Sequence, residues 1–126
     1  MLLIVDTSVV IAVVTNEPHK TDLVRHTRNV GLLAPASLPW EVGNAFSAML
    51  RRERITQDEA LRALAEYRRI PIQLVDVSLE AALKLAGRFG VYAYDAYMIA
   101  CAFDHRCPLI TLDAKLKGAA QEAGVL

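Results

Sequence analysis

The sequence begins with Leu2-Leu3-Ile4-Val5-Asp6-Thr7-Ser8, a run of apolar residues that ends in a carboxylate and two hydroxyl side chains. Short apolar runs without alternating polar residues are typical of buried parallel strands. Such a strand carries Asp6 to its C-terminal end, the edge at which open α/β sheets bind ligands. Asp is also a favoured helix N-cap, so capping of the next helix explains Asp6 alone equally well.

Composition indicates one globular domain. The chain has 126 residues, 54% of them hydrophobic, which suffices for a packed core in a single domain over residues 1–126. The 14 basic and 14 acidic residues cancel, so net charge points to no partner. The first apolar run is too short for a signal peptide or membrane span, and we expect a cytoplasmic protein. Cys101 and Cys107 lack the spacing of a metal or redox motif and are predicted to be reduced core thiols.

Strand and helix patterns alternate along the chain. Because hairpin signals are absent, this alternation predicts an α/β fold with a mainly parallel sheet covered on both faces. Right-handed crossovers then bring the C-terminal ends of all strands to one edge. Thr56-Gln57-Asp58-Glu59 has the form of a capping box. The predicted strands cover residues 2–5, 32–35, 72–77, 109–112 and a short edge strand at 125–126. The predicted helices cover residues 9–15, 20–28, 38–52, 57–68, 79–88, 94–105 and 114–123.

Four acidic residues are isolated in apolar surroundings at strand ends or helix starts. Each is the only charged side chain in its segment: Asp6 in residues 1–16, Glu41 in residues 30–50, Asp95 in residues 89–103 and Asp113 in residues 107–114. If they share a pocket they repel one another, and a divalent cation removes that conflict. Oxygen ligands favour Mg²⁺ or Mn²⁺ over zinc. Taken singly, each residue has an ordinary alternative as a helix cap, a turn residue or a partner of the helix dipole.

Four segments of the chain resemble the PIN-domain ribonucleases and, within that family, the VapC toxins of bacterial and archaeal toxin–antitoxin pairs. They are Leu3-Ile4-Val5-Asp6-Thr7-Ser8-Val9, Trp40-Glu41-Val42-Gly43-Asn44-Ala45, Tyr94-Asp95-Ala96-Tyr97 and Ile110-Thr111-Leu112-Asp113-Ala114-Lys115-Leu116. The resemblance covers essentially the whole chain. It implies a three-layer α/β/α sandwich whose parallel sheet has the order 3-2-1-4-5, although the C-terminus is short for a fifth strand.

The resemblance also implies a catalytic, metal-binding quartet at Asp6, Glu41, Asp95 and Asp113. Phosphodiester hydrolysis requires a deprotonated water and positive charge near the phosphate, and one or two Mg²⁺ ions, or Mn²⁺, would supply both. Glu41 would hold a second ion or accept the proton of the water. Further candidates are Ser8 and Thr111, which orient water or phosphate or only satisfy local backbone, and Asn44, which orients Glu41 or a ligand water.

Several surface residues are candidates for binding partners. Tyr92 and Tyr94 are predicted to stack on a base near the acidic residues, and Tyr97 to lie in the core. Six arginines form either a rim that contacts phosphates or a solvated helix face: Arg51, Arg52, Arg54, Arg62, Arg68 and Arg69. Three histidines are expected to be exposed and without a catalytic role: His19, His26 and His105.

Apolar helix residues provide the candidates for protein contacts. Phe46, Met49, Leu61 and Leu64 either complete the core or, as the resemblance implies, contribute to a homodimer and to the binding of a VapB-type antitoxin.

The sequence therefore predicts a Mg²⁺-dependent endoribonuclease that acts as the toxin of a VapBC-type pair. A phosphatase of the haloacid dehalogenase type is disfavoured, because Ser8 stands where that family has its second Asp and no cap domain is present. The other alternative is a catalytically silent PIN-like module that binds RNA or a protein. Four clustered carboxylates would serve no purpose in such a module.

Overall fold

A computed structural model describes residues 1–18 and 20–126, so the prediction for His19 lies outside the described residues. The strands are β1 (Leu2–Val5), β2 (Gly31–Pro35), β3 (Ile72–Val75) and β4 (Leu109–Ile110). The helices are α1 (Thr7–Val14), α2 (Lys20–Thr27), α3 (Leu38–Arg51), α4 (Gln57–Arg69), α5 (Leu79–Phe89), α6 (Ala93–His105) and α7 (Ala114–Ala123).

The described strands form one parallel sheet in the order β3-β2-β1-β4. Helices flank the sheet, with α1 contacting α2, α3 and α4, and with α5, α6 and α7 contacting one another. The predicted α/β sandwich and the relative order of its first four strands are confirmed. Because β1 pairs with β4 through Val5 and Ile110, the residues that follow these two strands emerge side by side.

The predicted fifth strand at residues 125–126 is wrong, because the described sheet has four strands. Val125 accepts one hydrogen bond, from the Leu109 N–H at 2.7 Å, and one bond does not form a ladder. The fourth strand is also shorter than predicted. It ends at Ile110 because Thr111 and Leu112 turn away to contact the residues at the start of α1.

The helix starts follow from local capping chemistry. Asp6 caps α1 by accepting a hydrogen bond from the Val9 N–H, and Asp113 caps α7 by accepting from the Lys115 and Leu116 N–H groups. The predicted capping box of α4 is present, with Thr56 and Glu59 each accepting from the other's backbone N–H. Caps at Asp6 and Asp113 mean that two of the candidate acids also have a structural role.

The core explains most of the apolar helix residues. Phe46 is buried, and Met49 and Leu64 are half-buried against the core, whereas Leu61 is 57% exposed. Cys101 and Cys107 are buried free thiols, and burial raises the pKa of Cys101 to about 12. Both cysteines are therefore core residues, as predicted.

The two histidines that the structure describes differ in exposure. His26 is exposed as predicted, but His105 is half-buried at the end of α6, and its Nδ1 has no hydrogen-bond partner among the described residues. The predicted exposure of His105 is wrong because the last turn of α6 packs against the core.

No described helix is both long enough and apolar enough to cross a membrane.

Candidate active site

The four acidic residues reach the site from two kinds of element. Asp6 follows β1 and Asp113 follows β4, which lie next to each other in the parallel sheet. Asp95 lies in the first turn of α6 and Glu41 in the first turn of α3. Helix N-termini favour negative charge, so the location of these two carboxylates offsets part of the cost of burying them.

Asp6 lies at the centre of a hydrogen-bond network. Its side chain is 3% exposed and accepts from Thr111 Oγ1 at 2.6 Å, from Ser8 Oγ at 2.7 Å and from the Val9 N–H at 3.2 Å. A hydroxyl has one proton, so Ser8 and Thr111, 3.3 Å apart, each direct that proton to Asp6 rather than to each other. The network therefore presents Asp6 as an acceptor, which is the role of an ionised carboxylate.

The hydroxyl oxygens of this network are oriented by backbone donors. The Leu112 N–H donates to Ser8 Oγ at 2.9 Å, and the Asp113 N–H donates to Thr111 Oγ1 at 3.0 Å. The segment after β4 is thus tied to the segment after β1. Ser8 and Thr111, both predicted site residues, fix Asp6 relative to the chain that carries Asp113.

Glu41 is also held by two hydroxyls. Thr7 Oγ1 donates to Oε1 at 3.2 Å, and Ser37 Oγ donates to Oε2 at 3.0 Å. Burial raises the pKa of Glu41 to about 7, because it outweighs the opposing effect of these hydrogen bonds and is reinforced by the negative charges of Asp6 and Asp95. Near neutral pH this carboxyl is therefore present in both protonation states.

Ser37 is a site residue that the sequence analysis missed. It precedes α3 as the N-cap but has helical backbone angles, φ −73° and ψ −14°, and its side chain makes no capping bond. Its hydroxyl instead reaches Glu41, four residues later. The i, i+4 spacing is the signal in the sequence that could have indicated this contact.

The other two acids are held less firmly. Asp113 is exposed, and its Oδ1 accepts from the Lys115 N–H at 2.9 Å and the Leu116 N–H at 3.3 Å. Asp95 is half-buried, and its pKa is raised by burial and by the negative charges of Asp113 and Asp6, while Lys115 opposes the rise. No side-chain hydrogen bond from a described residue holds the Asp95 carboxylate.

Asp6, Glu41 and Asp95 each lie within electrostatic reach of at least one other acid of the quartet. The pKa of Asp6 is raised by burial and, less strongly, by Asp113, while Asp6 and Asp95 both raise the pKa of Glu41. Even so, within residues 1–18 and 20–126 no three His, Cys, Asp or Glu side chains are close enough together to hold a metal ion. Asp6, Glu41 and Asp113 instead accept hydrogen bonds from protein donors. Their oxygen-only chemistry and mutual repulsion still suit a hard divalent cation.

The remaining predicted residues lie at different distances from this cluster. Asn44 is exposed one helical turn after Glu41 and forms no side-chain hydrogen bond with it in the described structure. Arg51 lies at the opposite end of α3 from Glu41, ten residues later, which is roughly 15 Å along the helix axis. All six arginines named from the sequence are exposed. Tyr92 and Tyr94 are exposed, and Tyr97 packs against the core as predicted.

Comparison with known proteins identifies the family of this chain. The model of the PIN domain family matches residues 3–122, and the chain belongs to the PIN-domain family. Proteins of this family are generally nucleases and typically use divalent metal ions. The resemblance predicted from the sequence is thereby confirmed at the level of the family. A comparison with curated proteins gave no match.

Two solved structures show the same fold. The protein PAE2754 from Pyrobaculum aerophilum is 23% identical, with a TM-score of 0.73 over 94% of this chain and 79% of that one. VapC20 from Mycobacterium tuberculosis, described as a sarcin-ricin loop cleaving toxin, is 13% identical, with a TM-score of 0.66 over 93% of this chain and 94% of that one. At these identities the likeness concerns the fold, and it extends over nearly the whole chain.

Proposed function

We propose that this PIN-domain protein is a Mg²⁺-dependent endoribonuclease that hydrolyses RNA phosphodiester bonds and acts in the cytoplasm as the toxin of a VapBC-type pair. The observation that carries the proposal is the network that links Asp6 to the segment before Asp113 through Ser8 and Thr111. The network fixes a buried carboxylate at the ligand-binding edge of a parallel sheet. Membership of the PIN-domain family and the fold shared with VapC20, described as a sarcin-ricin loop cleaving toxin, support the choice of substrate.

The acidic quartet suits a divalent cation. Asp6, Asp95 and Asp113, with Glu41, would hold Mg²⁺ or Mn²⁺, which when bound acidifies a water and offsets the charge of the phosphate. Asp6 would keep a fixed orientation, because both of its oxygens already accept hydroxyl protons from the protein. Hydrogen bonds of this kind, from residues that do not contact the ion themselves, fix the orientation of a metal-binding side chain and so affect metal affinity.

Glu41 has two possible roles in this mechanism. With a pKa raised to about 7, its ionised form can accept a proton from a water near neutral pH. Alternatively, the same carboxylate holds a second ion, which would lower its pKa and keep it ionised. In both cases Thr7 and Ser37 fix its orientation, while Ser8 and Thr111 do the same for Asp6.

We also propose that the protein forms a homodimer and binds a VapB-type antitoxin. A groove of about 590 Å³ lies between α3, α4 and the edge strand β3, and its lining includes Trp40, which is 73% exposed, Leu64 and Leu74. Exposed aromatic and aliphatic side chains beside an open strand edge support a protein contact in this region.

The test of the enzymatic proposal is expression of the protein in a bacterial host, followed by mapping of the 5′ ends of total RNA. We expect new RNA ends with the natural chain and none with Asp6→Asn at the same protein level. Purified protein should cleave the identified RNA with Mg²⁺ and not with EDTA. Identical RNA ends for the natural chain and Asp6→Asn would overturn the proposal and favour a catalytically silent module.

A further inference from the structure

Tyr92 and Lys115 form a pair that the four acids do not account for. The Lys115 Nζ lies over the Tyr92 ring, 4.9 Å from its centroid, within the distance of a cation–π interaction. Tyr92 is the N-cap of α6, and Lys115 is the second residue of α7. The pair therefore joins the starts of the two helices that carry Asp95 and Asp113.

The fold gives little reason for this pair. The Tyr92 side chain is 81% exposed and makes no capping hydrogen bond. Tyr is also not among the residues favoured at an N-cap. Lys115 is exposed and lies at a helix N-terminus, where the helix dipole disfavours a positive charge. Within residues 1–18 and 20–126, Lys115 forms no salt bridge. Apart from their contact with each other, neither capping by Tyr92 nor an ion pair of Lys115 explains these two residue types at these positions.

The chemistry of the pair matches a nucleotide. An exposed aromatic ring can stack on any base, and a neighbouring ammonium group can contact the phosphate of the same nucleotide. The ammonium lies over the ring, and the high exposure of Tyr92 leaves most of the side chain accessible. Tyr92 lies three residues before Asp95 and Lys115 two residues after Asp113, so the pair borders the acidic site.

We propose that Tyr92 and Lys115 form a binding subsite for an unpaired nucleotide of the RNA next to the cleaved phosphate. This inference rests on the proposed nuclease function and assigns two residues of this chain to the contact with an unpaired base and its phosphate. In an A-form duplex the base faces are stacked on one another and cannot meet Tyr92. The subsite thus selects unpaired RNA by shape and stacking rather than by base sequence.

Binding without cleavage tests the subsite separately from catalysis. In an Asp6→Asn background with Mg²⁺ present, fluorescence anisotropy measures the binding of labelled single-stranded oligoadenylate and of an RNA duplex. We expect the single strand to bind more tightly. Adding Tyr92→Ala should weaken that binding by about 5- to 100-fold, the effect of losing one stacked base, whereas Tyr92→Trp should retain it.

Two matched controls come from the same helices. Phe103 is an exposed aromatic residue at the other end of α6, so Phe103→Ala should leave binding unchanged. Lys115→Gln should weaken binding and lower its salt dependence by about one phosphate contact, while Lys117→Gln, two residues later on α7, should not. Circular dichroism of each variant verifies that the fold is intact.

The outcomes separate the subsite from the enzyme. Absence of oligoadenylate binding, or equal binding by the background and the Tyr92→Ala variant, overturns the subsite, and the pair is then at most a protein contact. That result leaves RNA cleavage by the natural chain unaffected. Conversely, weakened binding by Tyr92→Ala supports the subsite even if the natural chain cleaves no RNA, a result that would refute the nuclease proposal alone.

Discussion

The acidic cluster has two halves that are held in different ways. The inner pair, Asp6 and Glu41, is buried or half-buried, and each carboxylate accepts protons from two side-chain hydroxyls. The outer pair, Asp95 and Asp113, is more exposed and lacks such hydroxyl partners in the described structure. The fold therefore fixes the inner pair in advance, while the outer pair retains freedom to adjust when a cation or substrate binds.

We expect the greatest loss of RNA cleavage when one acid of either half is replaced. Asp6→Asn and Asp113→Asn should each lower RNA cleavage by at least about 100-fold, since even loss of a group behind a metal ligand costs 10- to 100-fold. Asp113→Asn should hardly change stability, because Asn caps a helix as well as Asp does and Asp113 accepts only from backbone N–H groups. We expect urea denaturation to show a change below about 0.5 kcal/mol for Asp113→Asn. Full activity in either variant would refute the quartet.

A smaller loss of cleavage is expected for Thr111, whose hydroxyl donates to Asp6 of the inner pair. Thr111→Val keeps the shape of a buried side chain but removes the donor to Asp6 and the acceptor for the Asp113 N–H. We expect the free energy of unfolding to fall by about 1–3 kcal/mol and cleavage to fall by about 10- to 100-fold. Thr111→Ser retains the hydroxyl and should stay near the natural chain in both measurements. A Thr111→Val variant as active as Thr111→Ser would contradict the proposed role.

The pH dependence of stability should also come mainly from the inner pair. The folded pKa of Glu41 is about 7, above its ordinary value of 4.5, so between these values the folded state binds more protons than the unfolded state. Stability of the metal-free protein in EDTA should therefore fall as pH rises from about 4.5 to about 7. Glu41→Gln should reduce this slope, with a residual slope of the same sign from Asp6 and Asp95. Thermal unfolding across this range measures both, and equal slopes would contradict the assignment.

The smallest effect concerns Ser37. Ser37→Ala removes one of the two hydroxyls that hold Glu41, so cleavage should fall by at most about tenfold and stability by less than about 1 kcal/mol. Ser47→Ala is the matched control, because Ser47 lies on the same helix and donates only to the Asn44 carbonyl at the surface. Equal activity of the two variants would show that Thr7 alone suffices to orient Glu41.

Patterns with a local cause were predictable from the sequence. The apolar run before Asp6 predicted a buried parallel strand, and Thr56 with Glu59 predicted a capping box, because both depend on neighbours a few residues away. The neighbouring positions of Asp6 and Asp113 followed from the rule that parallel strands end at one edge. Family membership is confirmed, while the catalytic role of each acid stays a prediction.

Features that depend on tertiary contacts were not predictable. Local rules assign Ser37 the N-cap role of accepting a hydrogen bond from a backbone N–H of α3, but its hydroxyl instead donates to the half-buried carboxylate of Glu41. Similarly, β4 ends earlier than predicted because the Thr111 hydroxyl donates to Asp6, a residue 105 positions earlier in the sequence. The half-burial of His105 and the failure of the fifth strand also depend on packing that periodicity does not encode.

Calorimetric titration of the purified protein with Mn²⁺ tests most directly whether the two halves form one site. Asp6 and Asp113 lie at distant positions in the chain, yet we predict that Asp6→Asn and Asp113→Asn each weaken Mn²⁺ binding by at least about tenfold. Asp104→Asn, which changes an exposed acid near the other end of α6, should bind Mn²⁺ as the natural chain does. Mn²⁺ binding that is absent in the natural chain, or unchanged in both site variants, would contradict a shared metal site.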